Sequence, residues 1–325
     1  MDKSIELTTH GCNGCIPRHT RLGQTAGTQA SAREAAREAY RPNYDVLHNF
    51  VDGGSLHFMT TVSDPTLDTV ALERDGHVLV MSLDRAEKRN AFNVAMLADL
   101  SRAYALLESD DTLRAGVLVA NGDHFTAGLD LVDVGPYIAA GKDPLPDDGR
   151  DPWRLDGDWT KPVVAAVQGR CLTLGIELLL AADIRIAASD ARFAQLEVLR
   201  GIYPFGGATI RLPQQAGWGN AMRWLLTGDE FDAAEAHRIG LVAEVVDDAD
   251  AARARAREIA HVIADRAAPL GVAATLASAQ AARTHGDAAA IDKLRPEVVR
   301  LFGTADAAEG VQSFIERRAA QFHGY

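Results

Sequence analysis

The sequence predicts an α/β fold. Three observations carry that prediction. Short apolar runs of the kind that bury a strand on both faces recur in the middle of the chain: "AGVLVA" at 115–120, "PVVAAV" at 162–167 and "IRIAA" at 184–188. Stretches of helical period separate them. After Gly206 the pattern is mostly helical.

The elements follow in order. "TVALERDGHVLVMSLDR" (69–85) alternates on either side of Asp75-Gly76, which signals a β-hairpin. "NVAMLADLSRAYALLES" (93–109) sets Met96, Leu97, Leu100, Ala103, Tyr104 and Leu107 on one helical face, with Asn93 as its N-cap. Residues 136–158 are rich in Pro, Gly and Asp and are expected to form a mobile loop. Further helices are expected at Ala251 to Arg266, Pro269 to Thr284 and Ala307 to Gln321. Residues 1–58 show little sustained periodicity and are expected to be a disordered N-terminal extension, with one short helix at Ala32 to Tyr40. Cys12 and Cys15 form a CxxC there, but no second pair follows, and His10 and His19 stand at unusual spacing. No metal site is expected.

The chain of 325 residues is 47% hydrophobic and 24% charged, as in ordinary globular proteins. Its net charge of -12 argues against nucleic acid as a partner. No apolar run approaches the roughly 18 residues that span a bilayer, so no membrane partner is expected. Three cysteines give no disulfide framework, and no signal-peptide pattern opens the chain, which points to the cytoplasm.

One residue breaks the pattern. In "RCLTLGIELLLAADIRIA" (170–187) Glu177 stands inside an apolar run. Removing an unpaired carboxylate from water costs several kcal/mol, so Glu177 needs a partner or a cavity in which it is used. A structural ion pair is the plain alternative, since Arg170 precedes it and Asp183 and Arg185 follow closely.

Four segments together resemble the crotonase, or enoyl-CoA hydratase/isomerase, superfamily: "LDRAEKRNAFN" (83–93), "NGDHFTAGLDL" (121–131), "KPVVAAVQGRCLTLGIELLLAADIRIA" (161–187) and "FAQLEVLRGIYPFGGATIRLPQQAGWGNAMRWLLTG" (193–228). "FDAAEAHRIGLVAEVV" (231–246) and "EGVQSFIERR" (309–318) fit as well. The resemblance covers about 68–325. It implies a crotonase-like spiral of ββα units, with a core at 59–265 and a C-terminal helical oligomerisation region at 266–325. It implies an acyl-CoA substrate, with coenzyme A as part of the substrate and no separate cofactor. It also implies a homotrimer or dimer of trimers, which Val311, Phe314 and Phe322 would serve as apolar contacts.

The same resemblance assigns the site. Backbone N–H groups of Leu129 and Leu174 match the two oxyanion-hole donors that stabilise an enolate. Leucine at both places departs from the small residues more usual there, and "LTLGIE" replaces a glycine-rich turn. Glu177 and Glu197 match the two glutamates of members that add water to enoyl-CoA, Glu177 for the water and Glu197 for the proton. Lys88, Arg89, Ala91, Ala127, Asp130, Leu131 and Val132 match substrate and CoA contacts, and Phe205 stands near the water site where glycine is common. A solvated charge cluster is the alternative for Lys88-Arg89. The resemblance therefore implies an enoyl-CoA hydratase. The rivals are isomerisation, thioester hydrolysis or β-diketone cleavage on the same scaffold, and a non-catalytic acyl-CoA-binding protein.

Overall fold

A computed structural model describes residues 44–52 and 55–325, with side-chain environments from Thr60 onward. The CxxC and the short helix expected near the N-terminus lie outside the described residues. Within the stretch expected to be a disordered extension, β1 (Tyr44–Asp52) and β2 (Ser55–Val62) form an antiparallel pair, so that expectation does not hold for the end of the stretch. The end of β2 is tied to the body of the protein: the carboxylates of Asp111 and Asp110 accept from the N–H groups of Thr60 and Val62.

The hairpin forms as its pattern demands. β3 (Val70–Asp75) and β4 (Val78–Leu83) pair antiparallel around Gly76, whose positive φ of 59° suits glycine. β4 opens a six-stranded sheet in the order β11-β8-β6-β5-β4-β3, using β5 (Ala115–Ala120), β6 (Val163–Val167), β8 (Ile184–Ala188) and β11 (Glu244–Val246). All pairs in it except β3–β4 are parallel. A second sheet holds β7 (Arg170–Leu172), β9 (Arg192–Ala194) and β10 (Phe231–Asp232) in the order β10-β9-β7.

The strands deal themselves to the two sheets in turn. β6 lies in the first and β7 in the second, followed by α3 (Leu174–Ala181). β8 and β9 repeat the step, followed by α4 (Ala208–Ala216). These are ββα units, as expected. α1 (Val94–Ser109) crosses from β4 to β5, and its Asn93 cap accepts from the Met96 N–H at 2.9 Å. All six residues of the expected apolar face are buried.

Period-two alternation sorts the sheet residues between two cores. Leu79, Met81, Leu118, Val163, Ala165 and Val167 join α1 and α3 on one side. Val78, Val80, Val117, Val164, Ala166 and Ile186 meet α7 (Ala249–Arg266) on the other. The α7 contact is a row of alanines four residues apart, Ala252, Ala256, Ala260 and Ala264, each about fully buried, so the helix backbone lies close to the sheet.

One sequence expectation here needs correction, and one helix was not named in advance. Residues 136–158 are not simply a loop. Leu131–Ala139 form α2, and Trp153 and Arg154 farther on are buried. Pro136 and the acidic, Pro-rich text hid both features. The C-terminal region carries three helices, α8 (Pro269–His285), α9 (Asp287–Phe302) and α10 (Ala305–Glu316), with α5 (Trp218–Thr227) and α6 (Ala233–Arg238) before β11. α9 was not foreseen, because Pro296 lies inside it. No single helix among the described residues is long and apolar enough to cross a membrane.

Candidate active site

Parallel pairing of β7 with β9 gathers the site. Leu172 is opposite Ala194, and the Thr173 N–H donates to the Ala194 carbonyl at 2.9 Å. The chain leaving β7 therefore lies beside the chain leaving β9. The first enters α3, which carries Glu177 in its first turn, and the second reaches Glu197 three residues after β9. The 126–130 strip lies along the other side of β7. Thr126 bridges Cys171, and Leu129 bridges Phe92.

This arrangement leaves two N–H groups free at one place. The Phe92 N–H donates to the Gly128 carbonyl and the Asp130 N–H to the Phe92 carbonyl, both at 2.8 Å, so the Leu129 N–H points away from Phe92. Leu174 is the first residue of α3, where N–H groups lack an intrahelical acceptor. Neither N–H has an acceptor among the described residues. The two segments touch: a Cβ added to Gly128 would fall 1.8 Å from the Thr173 Oγ1.

Thr173 is the strained element. Its φ of 50° and ψ of -120° are rare for a β-branched residue, and its side chain makes no cap bond. Such a conformation costs about 1–3 kcal/mol and persists where surrounding structure enforces it. Leu174 follows directly, so this conformation sets the direction of its N–H.

The two glutamates are buried, Glu177 at 1% exposure and Glu197 at 5%. An Oε of Glu177 accepts from the Ala208 N–H at 2.9 Å, at the start of α4. Its other oxygen has no partner among the described residues, and neither has one oxygen of Glu197. Burial raises the Glu177 carboxyl above its ordinary value, while the N–H groups of Ala208 and Gly206 and the Arg211 charge pull it back. Burial pushes Glu197 up to about 7, its own N–H opposes this, and the Glu177 charge adds to it. The carboxylates thus sense each other across the site. The ion-pair alternative for Glu177 falls away: Asp183 pairs with Arg154 at 2.9 Å, Arg170 with Glu230 at 3.0 Å, and Arg185 bonds Leu241 and Ala182 carbonyls.

Gly206 marks where the Glu177 carboxylate comes near other side chains. A Cβ on Gly206 would lie 2.7 Å from Leu174 Cδ1, 2.9 Å from Glu177 Oε2 and 3.0 Å from Trp153 Cδ1. Three groups meet there, and only glycine fits between them. Arg211 is also buried, which lowers its pKa to about 10, and it donates to the Arg154 carbonyl at 2.7 Å.

The expected substrate contacts form a rim. Lys88 and Arg89 are exposed, and Arg89 and Asn90 both have φ of 52°. The Ala127 N–H donates to the Arg89 carbonyl, which joins this bend to the 126–130 strip. The Ala91 carbonyl accepts from Arg85, and Arg85 also takes the Asp130 carboxylate at 3.1 Å, so Asp130 is engaged in a pair. Leu131 and Val132 stand exposed on the first turn of α2, and Phe205 is 43% exposed beside Gly206.

Sequence reasoning missed the supports. Asn90, fully buried, accepts from the Arg85 N–H and donates to the Asn121 and His124 carbonyls. Its place inside "EKRNAF" was a signal. Thr126 Oγ1 donates to the Asn90 carbonyl and accepts from the Gly128 N–H. Trp153 was missed because its loop reads as mobile, although a large aromatic residue in a polar loop marks burial. Cys171 is a core residue, its thiol raised well above the usual range by burial. No cluster of three or more His, Cys, Asp or Glu side chains among the described residues could hold a metal ion. A separate cavity of about 310 Å³ lies on the α7 side of the sheet. Its arginines are engaged, Arg257 with Glu73 and Asp75, and Arg253 with the Ala120 carbonyl and Asn121.

The family model described as Enoyl-CoA hydratase/isomerase matches residues 73–325. The enoyl-CoA hydratase EchA19 of Mycobacterium tuberculosis is 34% identical over 261 residues, which are 77% of this chain and 95% of that protein. The 1,2-epoxyphenylacetyl-CoA isomerase of Escherichia coli is 35% identical over 260 residues, 76% of this chain and 95% of that protein. A crystal structure of a probable enoyl-CoA hydratase/isomerase from Mycobacterium abscessus is 55% identical, with a TM-score of 0.77 over 79% of this chain and 99% of that chain.

Proposed function

The chain belongs to the enoyl-CoA hydratase/isomerase family and is an enoyl-CoA hydratase-like enzyme, and from that premise we propose that Glu177 and Glu197 together add water to a 2-enoyl-CoA thioester. The observation that carries the reading is the pair itself. Among the described residues, two buried carboxylates each offer an oxygen without a partner, close in the chain and across the β7–β9 pairing to two backbone donors without an acceptor.

The steps follow from the geometry. The thioester oxygen accepts from the Leu129 and Leu174 N–H groups, which polarise the conjugated double bond. A water held between the carboxylates gives a proton to Glu177 as its oxygen bonds to the β-carbon. The electron pair of the double bond moves to the thioester oxygen as an enolate. Glu197, whose pKa burial raises to about 7 so that it still carries its proton below that pH, delivers it to the α-carbon as the enolate collapses. Coenzyme A enters as part of the substrate. Lys88 and Arg89, both exposed, would meet its phosphates at the rim.

Oligomerisation belongs to the same reading. Leu294, Val298, Phe302, Val311, Phe314 and Ile315 leave an exposed apolar surface on α9 and α10, suited to packing between copies in a trimer or dimer of trimers. Phe322 is half-buried within the chain and its ring lies near Gly310, so it is not part of that surface.

A second reading, double-bond isomerisation, is favoured by one observation. Leu174 and Trp153 converge with the Glu177 carboxylate on Gly206, and an isomerase needs no water there. A chain-length series of 2-enoyl-CoA substrates in ¹⁸O-water decides between them. Hydration yields 3-hydroxyacyl-CoA carrying the label, whereas isomerisation yields unlabelled positional isomers.

A further inference from the structure

Trp153 belongs to no motif, yet it bears on both halves of the oxyanion hole. Its indole N–H donates to the Leu174 carbonyl at 3.0 Å. Its ring meets Phe92 edge-to-face, with centroids 5.6 Å apart and planes at 78°. Phe92 in turn holds the Gly128–Asp130 strip through two backbone hydrogen bonds, and so aims the Leu129 N–H. One side chain therefore reaches Leu174 directly and Leu129 through a single intermediary.

The surrounding loop is built to hold that side chain still. The Asp151 carboxylate accepts from the N–H groups of Trp153 and Leu155 at 2.9 and 2.8 Å. Arg154 pairs with Asp183, and its carbonyl accepts from Arg211 on α4, the helix whose first N–H binds Glu177. The need for such a brace is local. Thr173 holds an unfavourable conformation just before Leu174, and without support the turn would relax and swing the Leu174 N–H away.

We propose that Trp153 is a positioning residue for the oxyanion hole, its indole N–H and ring fixing Leu174 and the Leu129 strip at the spacing a thioester oxygen requires. The proposal rests on Leu129 and Leu174 being the oxyanion donors. It adds a distance sensitivity of a familiar kind, since a misplacement of about 1 Å at a catalytic group costs on the order of 10²-fold in rate.

The test compares wild type with Trp153→Phe, which keeps an aromatic ring against Phe92 and removes the donor. Two readouts are taken: kcat and KM on crotonyl-CoA, and the absorption band of a bound 3-arylacryloyl-CoA, which moves to the red when its thioester carbonyl is polarised. The expected result is a tenfold or greater fall in kcat, KM within about threefold, and loss of at least half of the red shift, in protein that melts as a folded enzyme. Unchanged kcat and band position in folded Trp153→Phe overturn the proposal, as does a lower melting temperature with kcat and band kept. Should Trp153→Phe not fold, Phe92→Leu reads the same brace from its other side. A fall in kcat and red shift supports the proposal there, and wild-type values overturn it. Absence of any red shift in wild type removes the oxyanion assignment itself, which marks the failure of the underlying reading rather than of the brace.

Discussion

Two buried carboxylates that feel each other's charge do not both ionise freely, and the pH behaviour of Glu177 and Glu197 follows from that. Hydration needs one of them charged and the other protonated, so kcat/KM should trace a bell, with its alkaline limb near the value of about 7 that burial gives Glu197. A pH–rate profile checks this, and Glu197→Gln should remove that limb from what activity remains. Stability carries the same signature. Glu197 binds its proton more tightly when folded, at about 7, than at its ordinary 4.5. Stability conferred by that proton is fully present below about 4.5 and is lost as pH rises toward 7. Denaturant titrations should show wild type losing stability over that window relative to Glu197→Gln, with no further divergence above it. At this scale the sequence was legible for the chemistry and silent on its supports. Glu177 announced itself as a charge in an apolar run. Trp153 and Arg211 did not, because their value lies in partners 21 and 57 residues away along the chain.

The turn between β7 and α3 is where local propensity and function conflict. A threonine at φ 50° occupies a place that glycine fills without strain, and Gly128 packs against its hydroxyl. Gly128→Ala should abolish turnover, because the added methyl collides with Thr173 Oγ1 and alanine tolerates the φ of 88° poorly. Adding Thr173→Gly should restore part of the loss, read as kcat of the double variant against the single. Main-chain donors also separate side chain from backbone at Leu174. Leu174→Gly should keep turnover and relieve the crowding at Gly206, while Leu174→Pro removes the donor and should raise the barrier by about 2.7–4 kcal/mol. Steady-state kinetics on folded variants checks both, and equal damage from the two would contradict the assignment. Strands β3, β4, β5, β6 and β8 and helix α1 were legible because apolar period and capping agree there, whereas β7, β9, β10 and β11 are too short to show a period. Helix α9 and the buried loop were not, because proline and acidic residues signal breaks that tertiary contacts overrule.

At the scale of the molecule, alternate dealing of strands into two sheets brings segments from four parts of the chain to one point: the 88–92 bend, the 126–130 strip, the β7–α3 turn and the chain after β9. The resemblance named those segments in the sequence, but only the pairing of β7 with β9 and with the 126–130 strip explains why they converge. Thr60 and Val62 hold the chain to Asp111 and Asp110, and a chain started at Met59 keeps both contacts, so it should fold and turn over as the full chain does, by melting temperature and kcat. The central claim is that the two glutamates act as one unit on a water. Its most direct measurement is the turnover of crotonyl-CoA to labelled 3-hydroxyacyl-CoA in ¹⁸O-water by wild type, Glu177→Gln, Glu197→Gln and the double variant. Each single change should lower the rate by about 10²–10⁴-fold, and the double variant should lose far less than the product of the two. Full hydration activity in both single variants, or a wild type that incorporates no label from any 2-enoyl-CoA, would contradict it.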